Sequence, residues 1–321
     1  METAAKSRFV VSGAPHARGG DSTREIMLDV IIALLPAAVM AAFYFGFDAA
    51  LLMVIGGASA LLFEILWNLA VKKPAVPGDL SAVVTGLLLA FNLPPNAPFW
   101  LPIVGSLFAI VVVKQLFGGL GQNFLNPALA GRAFLMASYP AIMTDYLAVM
   151  PNQFEGITSA TPLQYIKANP DAQILSSDLL TAFIGQKYGV LGETCAVALL
   201  LGGLYLILRR VVNWRVPFFY LATVAALSYA LGRAGSPVYD LLTGGVMLGA
   251  FFMATDFATS PVTPAGKVIF GVGCGALTMI IRTFSGAYPE GVSYSILLMN
   301  LTVPLIDRWT RPKTFGKGKA A

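Results

Sequence analysis

Apolar residues along the chain gather into ten runs separated by short polar or Gly/Pro-rich breaks. The first five run from Ile26 to Gly46, Ala49 to Val71, Leu80 to Leu93, Phe99 to Phe117 and Phe124 to Tyr139. The second five run from Val190 to Leu208, Val216 to Leu231, Leu241 to Met253, Val268 to Ile281 and Val292 to Ile306. A transmembrane helix needs about 20 mainly apolar residues, with roughly 17 to 25 tolerated. The pattern therefore predicts an all-α polytopic membrane protein with about ten transmembrane helices. The third and eighth runs are too short to cross about 30 Å of hydrocarbon at about 1.5 Å per residue.

The halves echo one another. Asp79-Leu80 opens the short third run, which contains Thr85-Gly86, and Asp240-Leu241 opens the short eighth, which contains Thr243-Gly244. A cation followed by an aromatic and a glycine recurs as Lys114 to Gly118 and as Arg282 to Gly286. Five runs per half is an odd number, so the second half is expected upside down relative to the first, as two inverted five-helix repeats. Short, Gly/Pro-interrupted segments at matching places in such repeats point to a ligand site.

Composition excludes a water-soluble enzyme. The 321 residues are 57% hydrophobic and only 12% charged, with a mean hydropathy of +0.74, whereas soluble domains carry about 25% charge. Two cysteines, Cys195 and Cys274, and one histidine, His16, cannot by themselves hold an iron–sulfur cluster, a haem or an imidazole-based zinc site. The net charge of +5 follows from topology rather than from nucleic acid. With the N-terminus in the cytoplasm, sixteen of the 21 Lys and Arg residues fall at inside ends. Four (Lys167, Lys187, Arg233 and Arg282) fall outside, and Arg132 lies within the fifth run. This is the asymmetry expected of a multi-pass membrane protein with both termini cytoplasmic. The expected organisation is a cytoplasmic tail (1–25), a first five-helix repeat (26–139), an extracytoplasmic loop (140–188), a second repeat (189–307) and a cytoplasmic tail (308–321).

Three groups of residues carry candidate chemistry. The outside loop holds Glu155-Gly156-Ile157-Thr158-Ser159-Ala160-Thr161-Pro162-Leu163. Small neighbours and Pro162 keep the Thr161 hydroxyl extended and accessible; read without context, the stretch is also an ordinary Ser/Thr turn. The turn from Gly118 to Asn126 brings backbone N–H groups and the amides of Asn123 and Asn126 to the start of the fifth run, either as a tight interhelical turn or as a ligand cradle. Thr255, Asp256 and Thr259 have spacing suited to local capping, or to binding a ligand hydroxyl or a cation. Glu64 and Arg132 are ionisable groups within runs, which is costly. They either pair across helices, mark an ion path (Glu64 above all), or orient a bound cofactor. No metal ligand set is apparent.

The Glu155–Leu163 stretch is similar to the flavin-attachment signature of bacterial redox-pump subunits, Asp-Gly-x-Ser/Thr-Gly-Ala-Thr, with Glu155 and Ser159 as departures. Gly118 to Arg132, Met253 to Pro261, Ser12 to His16 and Tyr288 to Ser295 resemble the D subunit of the Rnf complex and the related B subunit of the sodium-pumping NADH:quinone oxidoreductase. The short N-terminal tail fits the former better. The resemblance implies FMN bound covalently to Thr161, with Thr158, Ser159 and Ala160 as its neighbours, and a second, non-covalent riboflavin. It implies partner subunits, among them an extracytoplasmic flavoprotein and iron–sulfur proteins, in a ferredoxin:NAD oxidoreductase that exports sodium ions or protons. The alternative reading is a small-solute transporter or channel on an inverted-repeat fold, without flavin.

Overall fold

The structure, a computed structural model, describes residues 22–72, 77–145, 176–185, 189–193, 195–232, 237–285 and 291–312. Among them there are helices and no strands. Every apolar run of the sequence contains a helix. In chain order these are α1 (Thr23–Phe45), α2 (Phe47–Ala70), α3 (Ser81–Phe91), α4 (Trp100–Leu107), α5 (Pro127–Ser138), α6 (Ser176–Ile184), α7 (Ala196–Leu208), α8 (Arg215–Ala230), α9 (Pro237–Leu242), α10 (Pro264–Phe284) and α11 (Val292–Thr310). Of these, α1, α2 and α10 are each long and apolar enough to cross a membrane. Large apolar side chains such as Phe43 and Phe47, 71% and 79% exposed, cover their outer faces.

The ends of these helices follow from local chemistry. Ser22 caps α1: its Oγ accepts from the Glu25 N–H while Glu25 Oε2 accepts from the Ser22 N–H, a reciprocal box that satisfies two otherwise orphaned donors. Gly46, at φ 82°, separates α1 from α2 in one residue, a left-handed step that costs glycine little. The third run forms only 11 helical residues, about 16 Å. The eighth is broken into α9, a turn at Val246–Leu248 and a π-helical segment, Gly249–Met253. A second π segment, Phe108–Gln115, continues α4. Neither π segment is expected from apolar spacing; such wide turns are rare and concentrate at functional places.

Small residues set the helix crossings. A Cβ on Gly86 would collide with the Gly56 carbonyl oxygen, so α2 and α3 touch backbone to backbone. Likewise a Cβ on Gly202 would collide with the Ala33 carbonyl, a contact that joins α1 to α7 and so one half of the chain to the other. In lipid, where apolar burial between helices gains little, such close packing is the main source of association. Gly86→Val is expected to force these helices apart and destabilise the fold by about 1–3 kcal/mol, read as a lower midpoint of thermal aggregation in detergent.

The segment 140–188, expected as a polar loop, is partly helical where it is described. Pro140–Met143 forms one turn, and α6 packs against α7 and α9, with the Tyr44 hydroxyl donating to the Ile184 carbonyl at 3.1 Å.

Candidate functional site

Two turns from opposite halves of the chain enclose a cavity of about 270 Å³ beside the first turns of α1. Its apolar walls come from Val84 and Leu88 of α3, Met27 and Val30 of α1, and Phe251 and Phe252 of the π segment at Gly249–Met253. Its polar lining includes Ser81, Thr85, Lys114, Asn123, Thr255 and Asp256. A mostly apolar slot with a few polar groups is the usual form of a cofactor site. It suits a flat heteroaromatic ring with a polar edge, so the residues present fit a flavin.

Each turn is built for its place. The first-half turn takes φ of 120° at Gly118, 100° at Gly119 and 81° at Gly121, a backbone that side chains other than glycine resist. It is thus a tight interhelical turn, and it also supplies Gly121 and Asn123 to the cavity. Asn126 is used structurally. Its Oδ1 caps α5 by accepting from the Ala128 and Leu129 N–H groups at 3.0 and 3.2 Å, and its Nδ2 donates to the Met253 carbonyl at 3.1 Å. It therefore clamps the two turns together and lines the cavity. Thr255 donates to the Phe251 carbonyl and Thr259 donates to Asp256 Oδ2. Burial pushes the Asp256 carboxyl above the usual carboxylate range, against the hydrogen bonds from Thr259 and from the Ala258 and Phe257 N–H groups.

Glu64 and Arg132 do not pair with each other. Glu64 Oε1 accepts from Lys114 Nζ at 2.6 Å and from Gln115 Nε2 at 2.8 Å, and Lys114 Nζ also donates to Ser81 Oγ at 2.6 Å. Lys114, expected as a cytoplasmic-end cation, is 2% exposed. The π segment at Phe108–Gln115 turns it inward onto Glu64 and the cavity wall. Arg132 instead donates from Nη1 to Asn92 Oδ1 at 2.9 Å and to Ser293 Oγ at 2.8 Å, tying α3 and α5 to α11. The physical reason is helix rotation: α5 turns Arg132 towards α3 and α11, away from α2.

Arg282 also departs from its expected place among the outside cations. It is fully buried, and it donates to the Asp240 carbonyl at 2.7 Å and the Thr243 carbonyl at 2.9 Å, with Asp240 Oδ1 at 3.5 Å. Asp240 Oδ2 accepts from Ser228 at 2.6 Å. The two halves thus each hold a buried cation–carboxylate cluster, Lys114 with Glu64 and Arg282 with Asp240. Sequence reasoning does not find Lys114, Ser81 or Asp240 as site or cluster residues. The recurrence of Lys114-Gln115 as Arg282-Thr283 is the available signal, and it reads as surface charge. Asp29 accepts from Tyr205 at 2.8 Å and from Arg209 at 3.1 Å and joins α1 to α7.

Thr158, Ser159, Ala160 and Thr161 lie outside the described residues, as does Ser12 to His16.

Comparison with known proteins adds an independent line. The profile of the NQR2, RnfD, RnfE family matches residues 10–316. The chain is 52% identical over 312 residues to the D subunit of the Na(+)-translocating ferredoxin:NAD(+) oxidoreductase complex of Acetobacterium woodii, covering 97% of this chain and 96% of that one. It is 43% identical over 322 residues to the D subunit of the proton-translocating ferredoxin:NAD(+) oxidoreductase complex of Clostridium ljungdahlii, covering 97% of each. It is 39% identical over 329 residues to the D subunit of the ion-translocating oxidoreductase complex of Stutzerimonas stutzeri, covering 92% and 93%.

Proposed function

This chain belongs to the NQR2, RnfD, RnfE family, and from that premise we propose that it is the flavin-carrying membrane subunit of an ion-translocating ferredoxin:NAD oxidoreductase complex. It carries FMN on Thr161 at the outer face and a non-covalent riboflavin in the cavity between its two turns. Ten spans arranged as two inverted repeats place the 140–188 segment outside and both termini in the cytoplasm, in the inner membrane of a bacterium. Partner subunits supply the remaining centres, an extracytoplasmic flavoprotein and iron–sulfur proteins among them, because this chain has too few cysteines for a cluster of its own.

The observation that carries this reading is the cavity itself. Residues 118–126 and 253–261, two of the stretches that resemble the redox-pump subunits, are far apart in sequence and meet at one apolar slot. A flavin supplies one- and two-electron transfer when bound, and the protein tunes it by burial and hydrogen bonding. The chain's own residues do the positioning: Phe251, Phe252, Val84 and Leu88 exclude water from the ring, and Thr85, Asn123 and Thr255 offer hydrogen-bonding groups to its edge. Lys114 lines the cavity and holds Glu64, so a change of charge in the slot is felt directly at the ion-path candidate. Electrons passing from this end to Thr161 cross the membrane, and each exchanges about 2.3 kcal/mol with the field per 100 mV.

Thr85→Phe tests the slot. The ring occupies space in the cavity without altering Thr161, so the purified complex is expected to lose most of its acid-extractable flavin and its ferredoxin:NAD electron transfer, with gel-fluorescent covalent flavin unchanged. Full retention of extractable flavin overturns the assignment of the cavity.

A further inference from the structure

A line of hydrogen bonds joins the wall of the slot to the protein surface at the start of α3. Lys114 Nζ donates to Ser81 Oγ at 2.6 Å, and Ser81 Oγ donates in turn to Asp79 Oδ1 at 2.9 Å. Lys114 and Ser81 are both buried and both line the slot. Asp79, the last residue of a single 3-10 turn at Pro77–Asp79, is only half-buried. Leu80, at φ 59°, turns the chain so that Asp79 Oδ1 also accepts from the Ser81 N–H at 3.0 Å. Helix capping accounts for that last bond. It requires neither the Ser81 hydroxyl nor the buried ammonium that donates to it.

The buried end of this line is placed to act on the slot. An ammonium has three N–H donors. Glu64 Oε1 and Ser81 Oγ each take one, both at 2.6 Å, and among the described residues the third remains for the slot. Lys114 and Asp256 are the titratable side chains that line it, and the charge of Lys114 is felt at Asp256. Asp256 is itself held by donors, the Thr259 hydroxyl and the Phe257 and Ala258 N–H groups. A flavin takes up protons as well as electrons when it is reduced, and apolar walls keep bulk water from its ring. Lys114 therefore offers an acid inside the slot, with a hydrogen-bonded connection to the surface behind it.

We propose that Asp79, Ser81 and Lys114 form a relay that delivers protons from the cytoplasmic side to the slot. The inference rests on the flavin reading of the slot and on the topology proposed above. As an electron from a partner centre enters the slot, Lys114 Nζ releases one proton there. The Ser81 hydroxyl passes its proton to Nζ, and Asp79, having taken a proton from water, passes it to Ser81 Oγ. Only N–H and O–H bonds break and re-form. One proton enters with each electron, and all three side chains return to their starting charge.

The test is stopped-flow absorbance of the purified complex mixed with dithionite, the phase missing from the Thr85→Phe complex marking the slot flavin. Extractable flavin and its midpoint potential are measured on the same samples. Ser81→Ala is expected to slow that phase about 100-fold with flavin content and midpoint retained, because the relay sets a rate and not an equilibrium. Ser81→Thr restores a hydroxyl and is expected to restore the rate. Asp79→Asn still caps α3 but carries no proton; it is expected to slow the same phase, and added formate, a small acid, to relieve it. The wild type is expected to show a solvent deuterium isotope effect on this phase, and its absence overturns the relay without recourse to any variant. Unslowed reduction in Ser81→Ala at full flavin content overturns it as well. Slowing in Asp79→Asn that formate does not relieve reduces Asp79 to a cap and also overturns it. A wild-type complex without extractable flavin overturns the reading of the slot itself, and the relay with it.

Discussion

Thr161→Val is expected to abolish the covalent flavin completely while the subunit still inserts and assembles. Valine keeps the size and β-branching of threonine and removes only the hydroxyl that a phosphodiester to FMN requires, so the change is chemical rather than structural. The measurement is ultraviolet fluorescence of the denatured polypeptide on a gel, with peptide mass spectrometry to locate the modification. Thr158→Val, three residues away, should keep at least partial labelling, because that hydroxyl neighbours the bond without forming it. Flavin mass found on Thr158, or on any peptide outside 155–163, would assign the attachment elsewhere. With the Thr85→Phe variant, the pair is expected to separate the two proposed flavins, one substitution removing the fluorescent band and the other the extractable flavin. A chain with neither flavin in the wild type would be a transporter-like scaffold.

The second large effect is expected at Lys114. Replacing it by methionine keeps most of the length of the side chain but leaves the Glu64 carboxylate buried with Gln115 as its remaining partner. Removing one member of a buried ion pair costs about 3–5 kcal/mol, chiefly because the remaining charge is uncompensated. Lys114→Met should therefore cut the yield of folded subunit sharply and lower its unfolding midpoint. Glu64→Met combined with Lys114→Met removes both charges, and it is expected to recover most of that loss. The double variant then distinguishes the two roles open to Glu64. A folded, flavin-loaded complex that transfers electrons but no longer moves sodium ions or protons identifies the pair as part of the ion path. Unimpaired ion movement would reduce it to a packing device between α2 and the π segment that continues α4.

Much of the architecture was legible along the chain. Apolar runs mark helices because a helix in lipid must satisfy its backbone internally and show apolar side chains outward. Each of the ten runs accordingly contains a helix in the structure. Shortness was equally readable, since residue count converts directly to length: the third run holds only 11 helical residues, and the eighth is broken. The glycines of 118–121 and the Asn126 cap were visible because turn and cap preferences are local. The positions of charged residues were visible too, but whether a charge is in water or in the core was not.

That distinction rests on rotation and register, which only the tertiary structure decides. Lys114 near the end of one apolar run and Arg282 just after another read as interfacial cations, yet both are buried on carboxyl or carbonyl groups 39 to 50 residues away in sequence. The π segment at Phe108–Gln115 changes the rotation of everything after it, and so aims Lys114 at Glu64, without any mark in the apolar spacing. Arg132 finds Asn92 and Ser293 rather than Glu64 for a related reason, because its partners are set by how α5 packs between α3 and α11. The sequence by itself determined which apolar segments are helical, where the glycine-rich turn falls and which residue types were available to a site. The meeting of the Asn123 and Asp256 turns around one slot belongs to the packing of the two halves. A contact such as that of Asn126 with Met253, 127 residues apart, has no local signature.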